Sequence, residues 1–259
     1  MKTKKLIMLI LTISFISACY ANNCNRPAPC HAEKKPIVEN VLKRLNEKAA
    51  SLKTYQAKIQ WTHTQPLFET VTIRKGNLYY IKDPNNSKLR INFKTLQTDD
   101  SKEQKHREDF LFDSVWLMRT DYQNKTISHN QLASANAPVE PFEMVSRYFP
   151  ILGFSGTEDL KEQFTIEYIK PEKKAYESSA QLRLTPRPDS RYKHDYTQID
   201  FWIADKTNLP VKIVANSNET DIFKISFSDI KINKKLKSSI FKVAKPFGFS
   251  ENRTVLQQK

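Results

Sequence analysis

The stretch from Tyr196 to Val243, YTQIDFWIADKTNLPVKIVANSNETDIFKISFSDIKINKKLKSSIFKV, decides the fold. Thr197, Ile199, Phe201 and Ile203 fall on one face of a first run; Leu209, Val211 and Ile213 mark a second, and Phe223, Ile225 and Phe227 a third. Gln198, Asp200, Lys212, Lys224, Ser226 and Ser228 occupy the other faces. Period-two alternation predicts half-buried antiparallel strands, because successive side chains leave a pleated ribbon on opposite sides. Asp205–Asn208 and Asn216–Glu219 are the polar turns between them.

Working back toward the N-terminus, the same period recurs. Tyr55, Ala57, Ile59 and Trp61 alternate with polar residues, 69–82 reads as a long strand with Gly76 as a bulge, and Leu89, Ile91 and Phe93 mark a third strand. A charged loop is expected over 97–109, then shorter strands at 110–112, 115–120 and 125–129. Nine or more such strands predict an α+β protein built on one broad, strongly twisted antiparallel meander. Two helical pieces can cover its apolar face. Val38, Val41, Leu42, Leu45, Ala49 and Leu52 share one side of a helix opening at Pro36. Phe142, Met144, Val145, Tyr148 and Phe149 gather on a helix inside the insertion 137–164, and Thr157 starts a short second helix there.

The first residues read as a secretion signal: a basic start, an apolar run over 6–16, then Ser17-Ala18-Cys19. Ile16-Ser17-Ala18-Cys19 resembles a bacterial lipobox, which implies cleavage after Ala18 and a lipidated Cys19; cleavage after Ala21 would instead discard that cysteine. A single acyl chain holds only marginally, whereas two or more anchor durably. Tyr20, rather than an aspartate, after the cysteine leans toward the outer membrane. Residues 19–35 then read as a tether with Pro27 and Pro29, in which Cys24 and Cys30 are expected to pair in an oxidising compartment. Residues 36–259 form one domain.

Net charge is +14 and falls by three when Lys2, Lys4 and Lys5 leave with the signal. The remaining lysines are scattered over polar strand faces rather than gathered on one helix, which favours a solvated surface over a nucleic-acid partner. Four glycines argue against a phosphate-cradling loop. His31, His63, His106, His129 and His194 have no metal-ligand spacing, and no serine sits in a nucleophile elbow, so no metal, cofactor or enzymatic activity is expected.

Leu45–Ile59, where helix runs into strand, Tyr80-Ile81-Lys82-Asp83-Pro84, Pro141–Arg147 and Ser239–Val243 occur in an order that resembles the LolA/LolB-type envelope lipoprotein carriers, over roughly 37–249. The resemblance implies an unclosed half-barrel under an N-terminal helix and a helical lid, enclosing an apolar cavity for lipoprotein acyl chains. It places Tyr55, Ala57, Ile59, Leu89, Ile91, Phe93, Phe142, Met144, Val145 and Tyr148 along that cavity, in a monomer held in the cell envelope by Cys19 or soluble in the periplasm. Two departures stand out. Asp83 replaces the arginine that helps hold the lid in soluble carriers, and 97–109 lacks the exposed apolar residue of the receptor type. A non-transporting envelope sensor or structural lipoprotein on the same fold is the alternative.

Overall fold

The computed structural model describes residues 31–83, 87–139, 141, 157–170, 178–243 and 245–256. The lid helix expected at Phe142, Met144, Val145 and Tyr148, and the cysteines Cys19, Cys24 and Cys30, lie outside them. Helix α1 spans His31–Ala50, so the last residues assigned to the tether, 31–35, are helical and Pro36 is internal rather than initial. The reason is compositional: Ala32, Glu33, Lys34 and Lys35 are strong helix formers, and the proline removes only the bond to the carbonyl of Ala32. A short helix, α2, covers Thr157–Gln163.

Among the described residues, twelve strands form one open sheet. They are β1 (Thr54–Gln65), β2 (Thr70–Ile81), β3 (Lys88–Thr98), β4 (Gln104–Phe112), β5 (Trp116–Asp121), β6 (Thr126–Gln131), β7 (Phe164–Ile169), β8 (Ser179–Pro186), β9 (Tyr196–Ala204), β10 (Pro210–Ser217), β11 (Ile222–Ile232) and β12 (Ser250–Thr254). Their order is β12-β6-β5-β4-β3-β2-β1-β11-β10-β9-β8-β7. This corrects the simple meander. Hairpins in sequence order hold only within two arms, β1 to β6 and β7 to β11, and the chain crosses from one edge to the other between them. Strand β1 has two edges to satisfy, and β11 takes the second, from Thr64↔Ile222 to Tyr55↔Ile232. The sheet is also mixed, since β12 runs parallel to β6. Its edge strands β7 and β12 do not meet, giving a curved half-barrel.

The expected loop over 97–109 is a hairpin instead. β3 continues to Thr98 and β4 starts at Gln104, so Asp99, Asp100, Lys102 and Glu103 lie in the turn while Lys105 to Asp109 belong to a paired strand, with Glu108 and Asp109 buried. Gly76 does sit at an irregularity, where the β2–β3 register shifts after Lys75. Another shift after Pro210 makes Val211 a bulge residue, so Leu209 and Ile213 are buried while Val211 is only partly so.

One face of the sheet carries the core, with Leu78, Leu89, Phe112, Leu182 and Ile213 wholly removed from solvent; Val41, Leu42 and Leu45 of α1 join it. On the convex face, the C-terminal segment that shares in the resemblance, Ser239–Val243, begins in a 3₁₀ turn, Ser238–Phe241. Arg90 ties it down, donating to the carbonyl of Ile240 and, at 2.7 Å, to Asp109. Asp109 also accepts from Asn92 and from the Tyr122 hydroxyl at 3.1 Å.

Candidate functional site

Strand register assembles the concave face. Tyr55 lies opposite Tyr80, Ala57 opposite Leu78 and Ile59 opposite Gly76; across the next ladder Leu89 meets Tyr80 and Ile91 meets Leu78. The six described residues expected along a cavity, Tyr55, Ala57, Ile59, Leu89, Ile91 and Phe93, therefore share one face, and all are buried. They divide in two. Ile59, Ile91 and Phe93 line a cavity of about 50 Å³ together with Trp61, Arg74, Phe110 and Ile225. All six belong to the buried core, and Tyr55, Ala57 and Leu89 lie in it away from that cavity. The four additional lining residues follow from cross-strand pairing: Trp61 continues the β1 alternation, Arg74 and Ile225 pair with it, and Phe110 pairs with Ile91. An apolar hole of ~150 Å³ takes up a benzene molecule, so this space is roughly a third of what one ring needs.

A charged collar borders the cavity. Glu108, two residues from Phe110 on β4, is 1% exposed. It accepts from Arg74 at 3.0 Å and from Arg119 Nε at 2.7 Å. Both guanidiniums also lie over cavity-side rings, Arg74 at 5.3 Å from Trp61 and Arg119 at 5.8 Å from Phe110. Two cations on one carboxylate leave a net positive charge beside an apolar space. Nearby, His63 stacks on Phe223 at 4.5 Å and contacts Asp221 at 2.6 Å.

Two tyrosines give the molecule an alkaline limit. Burial pushes the Tyr55 phenol well above its ordinary range, and burial with the neighbouring Asp195 pushes Tyr196 up to about 12. The folded chain keeps phenol protons that the unfolded chain releases near pH 10, so their contribution to stability is complete below that value and is lost as pH rises through the folded pKa. Spectrophotometric titration should show the Tyr55 and Tyr196 phenols among the last to ionise, with urea midpoints falling from about pH 10 upward. Tyr196→Phe should flatten part of that fall.

Two exposed apolar residues, Leu67 and Phe68, are at a different hairpin from the one inspected in the sequence, while Ile37, Phe247, Val255 and Leu256 are exposed elsewhere. Between β1 and β2, Pro66–Phe68 forms a 3₁₀ turn in which Leu67 is 75% and Phe68 73% exposed. The turn is fixed by Glu69 N–H donating to Pro66 O at 3.2 Å and Thr70 Oγ1 donating to Phe68 O at 3.0 Å. Glu69 has φ 54°, in the left-handed region. The register through β11, β10, β9 and β8 puts this turn at the end of the sheet where β7 begins. There α1 also starts, with Lys161 of α2 bonded to Glu39 at 2.8 Å.

No family model matches the sequence, and no curated protein matches it. Solved structures do. An uncharacterised conserved protein from Thermus thermophilus shares 11% identity over 84% of this chain and 99% of its own, with a TM-score of 0.50. MucB shares 11% identity over 81% of this chain and 63% of its own, with a TM-score of 0.51, so the chain spans somewhat under two thirds of that protein. A LolA superfamily protein from Nitrosomonas europaea is matched at 12% identity over 79% of this chain and 97% of its own, with a TM-score of 0.35. At these identities the likeness bears on the fold alone, and it is the first two structures that carry it.

Proposed function

We propose that this chain, with its LolA-like fold, is a lipid-anchored envelope protein that takes acyl chains of lipoproteins against the concave face of its sheet and passes them to a membrane. The observation that carries this reading is one continuous apolar face on a sheet whose edges do not close. Each methylene removed from water contributes about 0.8 kcal/mol, and the attraction is non-directional, which suits cargo known only by its lipid. Loading requires the cavity between β1 and β4 to widen, because its present volume holds no acyl chain. The end of the sheet supports the second half of the reading. Leu67 and Phe68 project there, at the same end from which the chain leads back to Cys19, so an anchored molecule turns this tip toward its own membrane.

The test is uptake of a fluorescent acyl probe by the mature protein, followed by its transfer to vesicles. Leu67→Glu with Phe68→Glu should leave uptake unchanged and slow transfer at least tenfold, because two apolar side chains that enter the bilayer become charged. Mass spectrometry of membrane-purified protein without bound lipid, together with no probe uptake, would overturn the reading. The nearly filled cavity favours one alternative, a non-transporting sensor or structural lipoprotein, and the same absence of uptake would support it.

A further inference from the structure

A second feature lies away from the concave cavity and is independent of the acyl-chain reading. Between α1 and β7 runs an open groove of about 400 Å³. All five consecutive residues Phe164–Tyr168 line it, which requires the groove to follow the edge of the strand, since residues on one face alternate. β7 ends the sheet, so its outer backbone N–H and C=O groups pair with no described strand. Val38 and Leu42 of α1 form the facing wall. The opposite sheet edge differs: β12 presents five exposed residues, among them Glu251 and Arg253.

The charges are unevenly placed. Lys35, Lys161 and Arg187 converge at the end where β7 begins, with Glu39 as the acidic lining residue there, already bonded to Lys161. Lys35 has no ion-pair partner among the described residues, and Arg187 uses its Nε on the carbonyls of Lys161 and Phe164. An unpaired strand edge beside an apolar wall is completed by extended polypeptide, through main-chain bonds with alternate side chains entering the groove. Antiparallel addition is the slightly more stable arrangement, and it runs the added strand toward the cationic end with its C-terminus.

We infer that this groove binds an extended segment of a partner protein, added antiparallel to β7, apolar at alternate positions and acidic at its C-terminal end. The probe is a fluorescein-labelled peptide of alternating valine and threonine ending in two glutamates and a free carboxylate, titrated into the full mature chain by fluorescence polarisation. Saturable binding is expected. Moving the glutamates to the N-terminal end should weaken it at least tenfold, and N-methylation of one alternate set of amides should abolish it while the other set is tolerated. Lys35→Glu, at an exposed side chain, should weaken the glutamate peptide severalfold and leave a glutamine-ended peptide unaffected. No binding, equal affinity for both peptide directions, indifference to N-methylation, or full displacement by a monomeric fatty acid would overturn the inference, the last making the groove a lipid seat.

Discussion

Gly76→Ala is expected to lower stability by about 3 kcal/mol or more, a large cost for one methyl group. A Cβ built at Gly76 would lie 2.0 Å from the carbonyl oxygen of Asn92 and 2.8 Å from Phe93 Cα. Those atoms belong to the backbone of β3, so no rotamer change relieves the clash; the β2–β3 ladder must separate at its register shift. Because Gly76 also faces Ile59, the disturbance reaches the cavity wall. Urea titration gives the stability change, and a loss below about 1 kcal/mol would show that the strands yield easily. At this chain length the melting temperature should drop by roughly 6–12 °C.

Glu108→Ala should cost a similar amount, about 3 kcal/mol, for an electrostatic reason. Removing a buried carboxylate leaves the Arg74 and Arg119 guanidiniums facing each other across an apolar space without compensation. Arg119 is half-exposed and can turn to water; Arg74 is more enclosed and carries most of the penalty. A triple replacement, Glu108→Leu with Arg74→Met and Arg119→Leu, should recover most of the loss, since a buried ion cluster is often no more stable than apolar side chains of similar volume. Calorimetry on the two variants separates the cases. If the triple variant melts no higher than Glu108→Ala, the cluster contributes more than charge compensation.

The residues that alternate announced their strands, and Tyr55, Ala57, Ile59, Leu89, Ile91 and Phe93 could be put on one face because period two assigns a face without knowledge of partners. The partners themselves were not. Nothing local in Thr54–Gln65 says that its second edge belongs to Ile222–Ile232, because that choice is made by packing across most of the chain. Glu108 was read as part of a charged loop for the same reason, since the cations that neutralise it lie on other strands. The hairpin at 97–109 was hidden by its charge, which marks exposed strand ends as readily as loops. Leu67 and Phe68 could have been found: two bulky apolar residues after a proline, between alternating runs, have no face to bury.

The central position of β1 also sets the order of assembly. Its ladder with β2 is closed by a four-residue turn and can form as soon as both strands are available, whereas its ladder with β11 must wait for nearly the whole described sheet to be delivered. During that interval one side of β1 and the apolar side chains of the first arm stand open to other chains, and the hairpin ladder has to persist alone. Late pairing of β11 is therefore the step at which refolding should be slowest and most concentration-sensitive, and the short, locally closed hairpins on either side are what keep the waiting half from joining a neighbour.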